Sequence, residues 1–177
     1  MIYTVECSFA DPASEEEWNR FYSMDKLPAL ISVQGFRSSQ RFRALTPGCP
    51  TYLAAHAIDS LDVLTGEEYQ RKGGGNFARW QQHITDWHRN LYAGLTLMPE
   101  VGEEDLLLLT TAGPDLLQQL GAAPCIIEAV ALAKNPPLRW LATIARAHMP
   151  DLARLPAAVH AYAPMTPRLT PNPAPKG

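Results

Sequence analysis

EEEWNRFYSMDKLPALISV (15–33), QGFRSSQRFRAL (34–45) and TYLAAHAI (51–58) together decide the fold of this chain. The first segment reads as a helix. Asp11 or Ser14 can cap it, Pro12 suits a first turn, and Glu15, Glu16 and Glu17 sit where the positive end of the helix dipole favours carboxylates. Trp18, Phe21 and Tyr22 recur at i, i+3, i+4, and Leu27, Leu30 and Ile31 continue the apolar face. Pro28 forbids an unbroken helix, which predicts a kink or restart near Lys26. Gly35 ends the pattern. Phe36–Ala44 then reads as a strand, Thr46-Pro47-Gly48-Cys49-Pro50 as a turn, and Thr51–Ile58 as a second strand. Helix, strand, turn, strand is half of a split βαβ unit.

The remainder of the first hundred residues completes that unit. Met1–Phe9 alternates as a strand, with Tyr3, Val5, Cys7 and Phe9 predicted toward the helices and Glu6 on the other face. Asp59–Arg71 reads as a short helix, interrupted by Lys72-Gly73-Gly74-Gly75-Asn76. Three consecutive glycines cost too much backbone entropy for a helix interior and lack the context of a phosphate loop, so this segment reads as a hinge or flap. Phe77–Tyr92 (FARWQQHITDWHRNLY) reads as an amphipathic helix with Phe77, Trp80, Ile84, Trp87 and Leu91 on one face. Leu95–Val101 reads as a closing strand.

Trp18-x(3)-Tyr22, the run LPAL-x-SVQGF (27–36) and a strand ending RFRAL resemble the dimeric α+β barrel superfamily. The nearest branches are the EthD-like and antibiotic-biosynthesis-monooxygenase-like proteins. The likeness is clearest over residues 1–95. Members often carry His just before the Leu-Pro; Lys26 stands there in this chain, so no role of that His carries over. The resemblance implies an antiparallel sheet whose helix-free face lines a barrel.

Beyond residue 101 the pattern repeats. Asp105–Thr111 reads as a strand, Leu116–Leu120 as a short helix, Ile126–Ala133 and Leu138–Ala147 as a hairpin, Met149–Leu155 as a short helix and Ala158–Ala163 as a strand. The order β-α-β-β-α-β thus occurs twice, the second time with shortened helices. A ferredoxin-like unit covers one face of its sheet with helices and needs a partner for the other. The expected architecture is therefore α+β: tandem ferredoxin-like βαββαβ repeats forming an intrachain, pseudo-dimeric α+β barrel. Its parts are residues 1–101, a shortened repeat at 102–163, and a Pro-rich tail at 164–177 that is extended or disordered, or else a strap across the barrel.

Bulk properties limit the function classes. Net charge is −3, with no clustered basic surface for nucleic acid. No apolar run approaches a membrane span and no charged-then-apolar leader is present, so the expectation is a cytoplasmic protein without nucleic-acid or membrane partners. Cys7, Cys49 and Cys125 are odd in number and far apart, unlike a disulfide framework or a zinc site. His83 and His88 are not spaced i, i+4 as helical metal ligands would be.

The expected chemistry follows from the sheet faces. Tyr52 and His56 share a strand face, assigned to the barrel interior, where Glu6 and either Gln40 or Arg41 could join them. His56 is the natural proton shuttle, Glu6 could orient it, and Arg41 could stabilise an enolate or carboxylate oxygen. Tyr52, Gln40, Trp80, His83 and Trp87 are the expected substrate contacts. From the second repeat, Glu128, Arg139, Thr143, Arg146, His160 and Tyr162 are available additions.

No metal site and no cofactor are expected. Haem serves some relatives of the superfamily, but no single His here stands out as its ligand. The reading is a cofactor-independent enzyme on an aromatic or polyketide-like metabolite. Proton abstraction in it leads to oxygenation, cyclisation, isomerisation or decarboxylation. The alternatives are a binding protein without turnover and a structural homodimer of the same fold.

Overall fold

The computed structural model describes residues 1–172. Eight strands close into a barrel with every neighbouring pair antiparallel. They are β1 (Ile2–Phe9), β2 (Phe36–Ala44), β3 (Tyr52–Ile58), β4 (Ile84–Ala93), β5 (Asp105–Thr110), β6 (Cys125–Leu132), β7 (Leu138–Ala145) and β8 (Val159–Pro164). Around the barrel the order is β1-β3-β2-β8-β5-β7-β6-β4. The first four strands therefore pair as β4-β1-β3-β2 and the last four as β8-β5-β7-β6. Closure leaves no exposed sheet edge.

The helices lie outside the barrel. α1 (Glu15–Phe21) passes through a π-turn at Tyr22–Lys26 into α2 (Leu27–Ile31). The restart falls where Pro28 predicts it. Pro28 offers no N–H to the carbonyl four residues back, and the Leu27 amide reaches instead to Tyr22 O, five residues back. α3 (Asp62–Thr65) and α4 (Glu67–Arg71) follow β3. In the second half only α5 (Asp115–Gln119) and short 3₁₀ turns at Arg146–His148 and Leu152–Arg154 cover the sheet.

Two expectations in the 77–101 region are corrected. The helix expected over Phe77–Tyr92 is a 3₁₀ turn at Ala78–His83 followed by β4. Ala78 and Asp86 adopt positive φ (52° and 51°), which interrupts helical geometry. β4 bridges β1 and β6, and its Asn90–Tyr92 end is buried, with Leu91 toward the helices and Tyr92 in the barrel interior. Leu95–Val101, expected as a closing strand, is irregular chain, because β4 already occupies the place beside β1.

The core has three parts, sorted by sheet face. The outer face of the first half packs Tyr3, Val5, Trp18, Leu27, Phe36 and Leu91 under α1 and α2. The barrel interior is filled by Ile2, Phe42, Leu53, Tyr92, Leu107 and Tyr162 among others. The outer face of the second half packs Leu106, Leu108, Ala142 and Val159 under α5.

The segment after β8 is not a free tail where it is described. Met165 N–H donates to Arg41 O (2.8 Å), and Ser39 and Leu169 exchange backbone hydrogen bonds of 2.9 and 2.8 Å, so residues 165–169 run along β2 as a strap. The rest of the expected tail, 173–177, lies outside the described residues.

Candidate functional site

The residues expected to converge on one cavity are divided between the two sheet faces. In the β1–β3 ladder Tyr3 pairs with His56 and Glu6 with Leu53, so Glu6 points into the barrel and His56 points out under the helices. Arg41 and Tyr52 are also on the outer side, against Trp18 and Tyr22. The face assignment of Tyr52 and His56 to the interior is thereby corrected. The interior side of β3 instead carries Leu53, Ala55 and Ala57, whose small side chains leave room for the Phe42, Tyr92 and Tyr162 rings.

Arg41 is fully engaged by structure. It donates to Asn19 O (3.1 Å), Asn19 Oδ1 (2.8 Å) and Ser23 Oγ (2.9 Å), and stacks 4.1 Å from the Tyr22 ring centroid. Tyr52 donates to Glu15 Oε1 (2.5 Å) and accepts from Asn19 (2.8 Å). Both residues fasten α1 to the sheet. Gln40, on the interior face, donates to Val101 O and Thr166 O at 2.9 and 3.0 Å, tying the 94–104 loop and the strap to β2. Trp80 is buried against Phe21, and His83 sits 3.8 Å from Asp11 beside Phe9.

A different group of side chains gathers on the outer face, between β1, β4, α1–α2 and the glycine segment. The Tyr3 and Tyr69 hydroxyls are hydrogen-bonded at 3.0 Å in a buried setting, and the Arg89 guanidinium lies beside both. Burial pushes the Tyr3 hydroxyl well above the usual phenol range. Lys26 is buried beneath Gly73 and Asn76 and donates to both carbonyls. Removal from water lowers its ammonium to about 8. These groups, with Tyr22, Phe77 and Trp87, line a small cavity of about 10 Å³. That volume holds at most about one water.

The glycine segment is the cavity's outer wall. Gly73 and Gly75 sit at φ +88° and +71°. At Gly74 a Cβ would come within 2.3 Å of the Tyr69 ring. His56 lies behind Tyr3, stacked at 5.4 Å, with Nδ1 2.8 Å from Ser39 Oγ and Nε2 without a partner. Burial, with the nearby Lys26 charge, pushes it down to about 3, so it is neutral at ordinary pH.

Sequence reading passed over Tyr3, Tyr69, Arg89 and Lys26 as functional residues. Lys26 carried a usable signal: it falls four residues after Tyr22 and four before Leu30, a cation on an apolar helical face. Arg89 carried none once β4 was read as a helix.

Glu6 belongs to a second cluster inside one end of the barrel. Arg139 Nη2 donates to Oε1 at 2.9 Å, Arg139 Nη1 is 2.9 Å from Oε2, and His88 Nε2 is 3.0 Å from Oε2. Burial alone would raise the Glu6 carboxyl; His88 and Arg139 outweigh it and hold the group below the usual range. Among the described residues no group of three or more His, Cys, Asp or Glu is placed to hold a metal ion. No helix among them is long and apolar enough to cross a membrane.

No protein-family model and no curated protein matches the chain. Solved structures do match it in shape. An anthrone oxidase-like protein aligns with TM-score 0.53 at 11% identity, covering 97% of this chain and 93% of its own. A candidate monooxygenase from Lactobacillus acidophilus NCFM aligns at 0.52 and 7%, covering 96% and 95%. One from Fusobacterium nucleatum subsp. nucleatum ATCC 25586 aligns at 0.55 and 7%, covering 93% and 92%. At these identities the likeness establishes a shared fold over nearly the whole of each chain.

Proposed function

We propose that the chain is a small-molecule enzyme of the oxygenase type, acting on a phenolic or polycyclic aromatic ketone in the outer-face pocket. The observation that carries this reading is the buried Tyr3–Tyr69–Arg89–Lys26 group around a cavity closed by a three-glycine flap. Two cations and two hydroxyls face aromatic walls there, and no carboxylate shares the lining. Such a lining suits a flat ring system whose oxygen becomes anionic during reaction. The full-length likeness to an anthrone oxidase-like protein and to candidate monooxygenases supports the reaction class.

In this reading Lys26, as a neutral amine, removes a proton from an acidified ring methylene. Arg89 and the tyrosine hydroxyls hold the enolate oxygen. Dioxygen is the oxidant: the CH₂ carbon becomes a carbonyl, one oxygen atom is retained, and the other leaves as water with the two methylene hydrogens. The reading calls for no metal or organic cofactor. His56, neutral and anchored to Ser39, supports the Tyr3 ring rather than shuttling the proton, since a base far below the working pH transfers protons poorly. Glu6 and Arg41 act in the scaffold. The flap must open to admit any substrate, because the closed cavity is too small.

The same reading takes the chain as two ferredoxin-like units in tandem, residues 1–101 and 102–163, forming a pseudo-dimeric barrel. The repeated strand orders β4-β1-β3-β2 and β8-β5-β7-β6 support it. A structural protein is the second reading, favoured by the aromatic filling of the barrel interior.

The test is oxygen uptake with anthrone as substrate. The wild type should consume one dioxygen per ketone oxidised, and Arg89→Met should lose at least about tenfold in kcat/KM, the scale of one lost anion contact. No uptake above the uncatalysed rate across a panel of phenols and aromatic ketones would contradict the enzyme reading.

A further inference from the structure

The outer-face pocket carries positive charge that its own walls do not balance. Lys26 and Arg89 line it together, with no Asp or Glu among the lining residues. Neither is in an ion pair among the described residues. Lys26 is only 5% exposed, and its amine meets two neutral carbonyls and the Phe77 ring, whose centroid is 5.0 Å away. A buried cation is ordinarily matched by a carboxylate. Burial lowers this one to about 8, so part of it is free amine near neutral pH, and a free lysine amine attacks carbonyl carbon.

Both nitrogen-bearing ends lie directly beneath the flap. A Cβ at Gly73 would stand 4.0 Å from Lys26 Nζ, and one at Gly75 would stand 3.9 Å from Arg89 Nη1. The flap also supplies both acceptors of Lys26, the Gly73 and Asn76 carbonyls. Opening it therefore removes those acceptors and uncovers the two side chains together. The Tyr3–Tyr69 hydroxyl pair borders the same space and can relay protons between a nitrogen and an oxygen bound there.

We propose that Lys26 captures a 2-oxo acid as an imine, with Arg89 holding the carboxylate of that acid. This rests on the reading that the outer-face pocket opens to ligands, and not on its oxygen chemistry. The carboxylate supplies the negative charge that the lining lacks, and the adjacent carbonyl carbon is the atom an amine attacks. The nitrogen lone pair forms the new C–N bond, giving a carbinolamine. Both amine hydrogens then leave with the carbonyl oxygen as water. A C=N bond replaces the C=O bond, and nothing is oxidised or reduced.

The probe is glyoxylate with cyanoborohydride near neutral pH and without dioxygen, set against acetaldehyde, which has no carboxylate. Hydride from the reagent reduces the imine to a stable secondary amine, which peptide mass spectrometry locates. Lys134, exposed on the turn between β6 and β7, is the internal reference. The ratio of labelling rates at Lys26 and Lys134 should be at least about tenfold higher for glyoxylate than for acetaldehyde, the scale of one charged hydrogen bond. Arg89→Met should bring the glyoxylate ratio down to the acetaldehyde one.

Equal ratios for the two aldehydes, or a Lys26 peptide without adduct, would overturn the proposal. If Arg89→Met does not fold, acetate added to the wild type carries the test. It should slow glyoxylate labelling at Lys26 and not at Lys134, and an unchanged rate at Lys26 would overturn the role of Arg89. Because trapping needs no dioxygen, the two readings fail separately. An adduct without oxygen uptake on anthrone contradicts the oxygenase reading, and uptake without an adduct contradicts this one.

Discussion

Glu6 and Arg139 are 133 residues apart in the chain and 2.9 Å apart in space, one from each half of the barrel. Their pairing across the interior holds the N-terminal sheet to the C-terminal one at a point where both side chains are withdrawn from water. Arg139→Met should therefore cost about 3 kcal/mol or more, because Glu6 stays buried with His88 as its remaining partner. Glu6→Gln with Arg139→Met should cost less than Arg139→Met alone. Denaturant unfolding of the wild type, Glu6→Gln, Arg139→Met and the double variant checks this; a double variant as unstable as the sum of the singles would show that the pair is uncoupled.

Stability should depend on pH through the same contact. The Glu6 hydrogen bond raises the His88 imidazole above its usual value, against the opposing effect of partial burial. A raised folded-state value means that the contribution is full below about pH 6.5, the unfolded value, and is lost as pH rises through the folded one. Glu6 is lowered, so its contribution is full above its ordinary carboxylate range and is lost as pH falls through its folded value. Wild-type stability should then decline from pH 6.5 upward, while His88→Gln should lack that decline. Unfolding midpoints measured across pH 5–9 decide it.

Lys26 carries the opposite sign. Burial lowers it to about 8, so the folded state gives up a proton that the unfolded state keeps up to about 10.5. Stability contributed by this group should rise as pH goes from 8 to 10.5. Activity should rise through pH 8 as the amine is uncovered. Lys26→Met should abolish that rise and reduce kcat about 100-fold, within the usual range for a lost general base. The variant also frees the Gly73 and Asn76 carbonyls, so amide exchange at Gly74 and Asn76 should quicken. A pH–rate profile indifferent to the substitution would remove Lys26 from the reaction.

Gly74→Ala is a narrow probe of the flap. Its Cβ would meet the Tyr69 ring at 2.3 Å, and the ring, bonded to Tyr3, cannot move without breaking that contact. Stability should fall by about 1–3 kcal/mol, the loss of one buried hydrogen bond, and ligand affinity should fall at least about tenfold with it. Lost stability with unchanged affinity would mean that the flap is a structural wall only.

The element order was readable because its signals are local. Gly35, the turn at 46–50 and the Lys134-Asn135-Pro136-Pro137 turn each break a period that their flanks keep. Pro28 located the helix restart to within a turn. β4 was not readable. Phe77, Trp80, Ile84, Trp87 and Leu91 satisfy a helical period, but Phe77 and Trp80 lie ahead of β4 and only its Asn90–Tyr92 end is buried, so barrel closure selects the strand where the local pattern does not.

The site failed for a related reason. Alternation along β3 gives two faces, Tyr52–His56 or Leu53–Ala55–Ala57, and the rule that polar residues line a cavity picks the first. The helices in fact cover the Tyr52–His56 face, where Asn19 and Glu15 bond the Tyr52 hydroxyl and Ser39 bonds His56 Nδ1. Glu6 was correctly given the interior face, but its partners Arg139 and His88 come from strands no local pattern could bring beside it. Lys26 could have been noticed as a cation on an apolar face; its contact with a flap some fifty residues away could not.

The most direct test of the outer-face pocket is a backbone amide shift map on titration with a hydroxyanthraquinone. Binding in that pocket predicts saturable shifts confined to Tyr3, Lys26, Tyr69–Phe77 and Arg89, abolished by Tyr69→Ala. Shifts centred on Glu6, Cys49 and Arg139, or none at saturating ligand, would contradict it.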